Sequence, residues 1–246
     1  MNYKKLLIII SLNAVFQTAW GQVLNKKQRE YFILGTLDDY MGRRIDPREV
    51  NFVDRYDGLQ GPLITVVDSL LQIDYSSSNY RVDRYLDANR NLLSGKIFSD
   101  TLAKRFNSYY TFEQSESFTS NNDPKLNNIS ILGGALKPNI FTNEAEKLAF
   151  LSGTYVRYGF ANDTAYEISI ANSYSKANVV KQLLTEFGCN PSYQIRRNTI
   201  PVGHLVYFHP SETVRKYLNR FMYVRNRLIE SEKRWIDKMI SEPRHR

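Results

Sequence analysis

Hydrophobic positions recur at helical spacing through the first half of the chain. In residues 24–43, Tyr31, Leu34, Leu37 and Met41 line one helical face. Asp39 and Arg43, one turn apart, read as an ordinary ion pair. Asp46 as cap and Pro47 in the first turn open a second helix, which stops at Gly58. Gly61-Pro62 opens a third, burying Leu63, Val66, Val67, Leu70 and Leu71. Residues 79–93 and 98–112 read as two more helices, rich in aromatic residues and arginine, so 22–113 is expected to be a helical region. Residues 114–127 are polar and read as a loop or linker.

Beyond the linker, in 128–246, strand and helix patterns alternate. Asn143 or Thr142 caps a helix from Glu144 to about Tyr158, and Tyr166 to Ala171 alternate as a half-buried strand does. Ser175 caps a helix burying Val179, Val180, Leu183, Leu184 and Phe187, with Gly188 as its stop. Two strands follow, Tyr193-Gln-Ile-Arg-Arg and His204-Leu-Val-Tyr-Phe-His, joined by a hairpin loop. Ser211 then caps one long helix whose stripe runs Val214, Tyr217, Leu218, Phe221, Leu228, Trp235, Ile236 and Met239, with a break at Arg225 and Glu232. The expected class is α+β: a helical N-terminal region, a small βαββα module and a long C-terminal helix.

Composition and charge narrow the function. The chain has 246 residues, 42% hydrophobic, with a net charge of +8, so it holds a packed core. Lys4 and Lys5, the apolar run from Leu6 and the Ala19-Trp20-Gly21 ending read as a signal peptide over residues 1–21. A periplasmic or extracellular bacterial protein with no transmembrane segment after cleavage is the expectation. Cys189 is the one cysteine, so no internal disulfide forms.

Catalytic patterns are sparse. No HExxH, CxxC, GxSxG, P-loop or GxGxxG occurs, and no cofactor or metal is expected. His204 and His209 sit five apart on one strand and point to opposite faces. Cys189 follows a helix C-terminus, where the dipole disfavours a thiolate. Asp38, Asp39, Asp46, Glu49, Asp54, Asp57, Asp83 and Asp87 could supply paired carboxylates for glycoside cleavage, but nearby arginines make an ion-paired surface the simpler reading. Asp68, alone inside an apolar helix, and His204 are the residues to watch for catalysis. Cations crowd the last helix, and Tyr207, Arg215, Arg220 and Arg227 are the candidate binding residues.

Residues 165–222 resemble a SPOR domain, a peptidoglycan-binding module of bacterial envelopes. Tyr166-Glu-Ile-Ser-Ile-Ala-Asn-Ser-Tyr-Ser-Lys and Leu205-Val-Tyr-Phe-His-Pro-Ser-Glu carry the similarity. Ala171-Asn172 and His209-Pro210 stand where that family has glycine. With the signal peptide and the lack of a catalytic constellation, the resemblance implies an exported, non-enzymatic envelope protein that binds peptidoglycan, another envelope polymer or a protein partner, and export argues against nucleic acid. A glycan or peptide hydrolase and a helical inhibitor or interaction protein are the alternatives.

Overall fold

The computed structural model describes residues 24–86, 92–118, 129–162 and 165–241. The signal-peptide reading falls on residues outside that range, as do Asp87, His245 and most of the polar 114–127 stretch.

Asn25 starts helix α1 (Lys26–Thr36) with a capping box: its side chain accepts from the Gln28 amide, and Gln28 accepts from the Asn25 amide. The helix ends at Leu37, which is extended, and Met41 and Gly42 take positive φ to turn the chain. Strands β1 (Arg43–Ile45) and β2 (Phe52–Asp57) follow, then a 3-10 turn at Gly58–Gln60 and helix α2 (Gly61–Asp74). Strands β3 (Arg81–Leu86) and β4 (Leu92–Phe98) lead to helix α3 (Asp100–Asn107), and β5 (Tyr110–Phe118) pairs with β6 (Ile129–Leu136).

The second half runs α4 (Glu144–Tyr158), β7 (Gly159–Ala161), β8 (Tyr166–Ala171), α5 (Tyr174–Glu186), β9 (Ser192–Arg196), β10 (Gly203–Phe208), α6 (Glu212–Asn219) and α7 (Met222–Ser241). Among the described residues the fold is therefore α+β, with seven α-helices and three antiparallel sheets.

The order α-β-β-α-β-β-α occurs twice, as α1 to α3 and as α4 to α6. The inner sheet order also repeats: β2-β4-β3 in one half and β8-β10-β9 in the other. Strand β7 extends the second sheet, whereas β1 joins β6 and β5 in a third. Helices α1 and α4 pack side by side between the halves and bury Phe32, Leu34, Phe150 and Tyr155.

Several expected helices are not helices. The 48–57 stretch is mostly β2, and 79–93 holds β3 and the start of β4. Their aromatic and β-branched residues, Val53, Tyr56, Val82 and Tyr85, suit a pleated surface. The expected 98–112 helix is α3 alone, after which the chain enters β5. Residues 114–118 of the polar stretch belong to β5, which pairs with β6, with Phe112 opposite Gly134. The expected single C-terminal helix is α6 and α7, separated at Arg220–Phe221. There the amides bond three residues back, to Tyr217 and Leu218, and Phe221 swings in to pack 4.7 Å from Phe32.

Candidate functional site

The centre of the molecule is the crossing of α1 and α4. A Cβ on Gly35 would overlap the Phe150 carbonyl oxygen and stand 2.8 Å from the Thr154 amide nitrogen. A Cβ on Gly153 would overlap the Phe32 carbonyl oxygen and stand 2.9 Å from its carbonyl carbon. Glycine at both positions lets the two backbones touch. The sequence signal is a repeated pentapeptide, Phe32-Ile-Leu-Gly-Thr and Phe150-Leu-Ser-Gly-Thr, which apolar periodicity does not single out.

This crossing brings the C-terminal ends of both helices together and gathers buried charge around them. Arg157, at the end of α4, donates to the Thr36 carbonyl at the end of α1 and meets the Asp54 carboxylate at 2.8 Å. It also donates to the Arg55 carbonyl at 2.9 Å and to Gln60 at 3.1 Å. Lys176, fully buried on α5, donates to the Leu37 carbonyl at 2.6 Å and to the Gly35 carbonyl at 3.3 Å, with Asp39 at 3.2 Å. Tyr110 donates to Asp39 at 3.0 Å, and Tyr158 donates to the Leu37 carbonyl at 3.0 Å. Arg225 reaches the Val156 and Arg157 carbonyls at the end of α4.

The logic is electrostatic. Two helix C-termini, each with partial negative charge, converge with Asp39 and Asp54, and cations from the protein itself fill the space between. Burial pushes the Asp54 carboxyl above the usual carboxylate range, against the pull of Arg157. Burial likewise lowers Lys176 below the usual lysine range, against the pull of Asp39. The expected Asp39–Arg43 pair does not form: Arg43 donates instead to Asn107 and to the Val53 carbonyl.

The other expected site residues lie apart from this centre and from one another. Asp68 accepts from Tyr80 at 2.9 Å and from Arg84 at 2.7 Å, so its carboxylate is engaged in holding β3 to α2. His204 is buried, stacked on Tyr193 and bonded to its hydroxyl at 2.6 Å. Tyr207 lies on the opposite side of β10 and accepts from Arg196 at 3.2 Å. Arg215, Arg220 and Arg227 are exposed on α6 and α7, in the helical layer. Cys189 is buried beside Ser211. Asp46 pairs with Arg48, Asp83 pairs with Arg81, and Asp57 caps the 3-10 turn.

The sheet faces turned away from the helices carry different chemistry. Ile97 and Gly95 of β4 face α2, where a Cβ on Gly95 would overlap Ile64. Lys96 and Phe98 therefore face outward. The register across β2, β4 and β3 sets Arg55, Lys96 and Asp83 in one row and Phe52, Phe98 and Arg81 in the next. Phe52 and Phe98 meet edge to face at 5.9 Å, and the Arg81 guanidinium sits 4.7 Å over the Phe98 ring. In the second half the matching face presents Ser192, Gln194 and Arg196, while Leu205 at its middle is fully buried.

No family model matches the chain, and no curated protein matches it in sequence. Solved structures do match. One is the homing endonuclease I-DmoI in complex with DNA and Mn, at 14% identity and TM-score 0.48, covering 81% of this chain and 97% of that one. Another is a mesophilic variant of I-DmoI, at 14% identity and TM-score 0.49, covering 80% and 96%. A third is full-length DUF199/WhiA from Thermatoga maritima, at 11% identity and TM-score 0.49, covering 87% of this chain and 61% of that one. The N-terminal part of DUF199/WhiA is described as a LAGLIDADG domain.

These findings correct the SPOR reading and what followed from it. The matched structures are endonucleases and WhiA, with no SPOR domain among those described here. The physical reason lies in the duplication: residues 165–222 are most of one half of a repeated unit, whose apolar face is closed by α4, and not a free-standing module. The exported envelope protein, its periplasmic or extracellular location and its peptidoglycan or other envelope partner are withdrawn with it. The exclusion of nucleic acid rested on export and is withdrawn with it; some of the matched structures are DNA complexes. The hydrolase alternative loses its carboxylates to ion pairs and caps, and the helical inhibitor does not fit a chain with three sheets.

A divalent cation does not fit the centre. Asp39 and Asp54 already face Lys176 and Arg157, which would repel it. Among the described residues no group of three or more His, Cys, Asp or Glu could hold a metal ion. No described helix is long and apolar enough to cross a membrane.

Proposed function

We propose that the chain binds nucleic acid without cutting it, on the outward face of the β2-β4-β3 sheet. The observation that carries this is the pair of adjacent rows, Arg55–Lys96–Asp83 and Phe52–Phe98–Arg81, in which Asp83 is held by Arg81 at 2.8 Å and Lys96 lies 3.8 Å from Glu49, so that among the described residues Arg55 is the cation without a carboxylate. Cations in one row suit phosphates, and flat rings beside them suit bases or sugar edges. A glycan would need the rings without the charge, and a simple anion the charge without the rings. The net charge of +8 favours encounter with a polyanion. Tyr207 and Arg196 place a similar ring and cation on the matching face of the second sheet. The centre at the helix ends supports the non-cleaving half of the reading, because its acids and bases neutralise one another.

The test is fluorescence anisotropy of a labelled duplex, titrated with the full chain across a salt series. Binding should weaken steeply with salt. The Arg55→Gln, Lys96→Gln double variant should bind less tightly and with a log–log salt slope shallower by about 2. Lys181→Gln, on α5, should bind as the parent does. Equal binding by the parent and the double variant would overturn the reading.

A further inference from the structure

A second charged surface lies on the far side of the molecule. Between Glu212 and Glu230 the chain has no acidic residue and five cations. Four of them, Arg215, Lys216, Arg220 and Arg227, are exposed, and among the described residues none is paired with a carboxylate. The fifth, Arg225, is buried, and it is the one that has a carboxylate, Glu232, at 3.5 Å. The chain thus neutralises the inward cation and leaves the outward ones bare.

Two of these cations are also held in place. Arg220 lies 4.7 Å over the Tyr217 ring and Arg227 lies 5.9 Å over the Tyr223 ring. The inner faces of α6 and α7 are anchored by buried Val214, Leu218, Phe221, Val224 and Leu228. Stacked guanidinium groups lose less side-chain freedom when they bind an anion than free ones would.

Position decides what this ridge can reach. Helix α7, which carries Arg227, packs on α2, α6, which with its C-cap carries the other ridge cations, packs on α4 and α7, and α2 packs on the inner face of the β2-β4-β3 sheet, so the ridge lies on the helical side of that sheet. The ridge and the outward sheet face therefore point in opposite directions, and one straight duplex cannot touch both. We infer that the ridge takes the phosphate backbone of a second nucleic-acid segment, so that one copy of the protein bridges two segments. This rests on the sheet face binding the first. Charge complementarity selects the occupant: four exposed cations with no carboxylate partner among the described residues suit a phosphate backbone.

The experiment uses the full chain, a duplex fixed to beads and a second, labelled duplex in solution. The parent should carry the labelled duplex to the beads at limiting protein. The variant Arg215→Gln, Lys216→Gln, Arg220→Gln, Arg227→Gln should still bind one duplex in anisotropy but lose the capture. All four side chains are exposed, and an unchanged melting curve confirms that the variant is folded. Sedimentation of the protein alone shows whether it is a monomer. A monomeric parent that binds duplex and never captures a second one overturns the ridge and leaves the sheet reading standing. Capture that survives in the quadruple variant, or that tracks self-association of the parent, also overturns it. Ridge-dependent binding to phosphatidylglycerol vesicles without capture of duplex would assign the ridge to a membrane instead. No binding of any duplex would remove the sheet reading, and this inference with it.

Discussion

Gly35 and Gly153 are reciprocal: each lies against the backbone that precedes the other, Gly35 on Phe150 and Gly153 on Phe32. Two helices that touch at glycine bring their C-terminal ends within reach of one arginine, and Arg157 of α4 caps the Thr36 carbonyl of α1. The buried charge cluster follows from this contact.

Gly35→Ala and Gly153→Ala should therefore each be costly. The added methyl meets backbone and not a flexible side chain, so the helices must move apart. A loss of about 3 kcal/mol is expected for each, toward the upper end for overpacked cores. Urea denaturation checks it, and a loss under about 0.5 kcal/mol would mean the helices are not in contact there.

The buried pair of Asp54 and Arg157 predicts a non-additive double change. Arg157→Met alone should cost roughly 3 to 5 kcal/mol, since it leaves a carboxylate buried without its cation. Asp54→Leu with Arg157→Met should cost less than the sum of the single changes, because no charge is left stranded. Denaturation of all three variants gives the coupling directly, and strict additivity would show that the two groups do not interact.

His204 should make stability fall in mild acid. Burial lowers its pKa below the usual histidine value, so the unfolded chain takes up a proton there more readily than the folded one. The contribution is fully present above the usual pKa of about 6.5 and is lost as pH falls below it toward the lowered folded value. In His204→Phe that part of the pH dependence should vanish, whatever the change in baseline. Melting midpoints measured from pH 7.5 to 4.5 decide it, and parallel curves for parent and variant would refute it.

Divalent cations should leave the protein unaffected. With Lys176 and Arg157 facing the acids at the helix ends, millimolar Mg2+ or Mn2+ should not raise the melting midpoint, and EDTA should not lower it. Supercoiled DNA incubated with the protein and either ion should remain uncut. A metal-dependent rise in midpoint that disappears in Asp39→Asn would contradict the arrangement.

Much of the local structure is legible without the fold. Asn143 caps α4 and Ser211 caps α6 through bonds to the amide three residues on, as their residue types predict. Gly61-Pro62 opens α2. The strand–helix–hairpin order of residues 166–208 is also plain, because its apolar runs are long and well separated by turn residues. One cap moved: α5 begins at Tyr174, after Ser173, and not after Ser175. Short runs are ambiguous. Phe52 to Asp57 and Arg81 to Leu86 have charged residues at both parities, so helix and strand periods fit them almost equally well. Pairing with β4 decides for strand.

The sequence by itself determined the α+β class, the helix starts at Gly61, Asn143 and Ser211, and the repeated Phe-x-x-Gly-Thr that puts a glycine on each helix at their crossing. Only the tertiary structure decided which charges meet. Asp39 is one turn from Arg43 in sequence yet pairs with Lys176, and Asp54 pairs with Arg157 from the other half. A local ion pair depends on spacing along one helix, but α1 ends at Thr36, before either residue, and the spacing rule lapses there. A buried pair depends on which elements pack together, and that is set by the contact of the two helices, not by any distance along the chain.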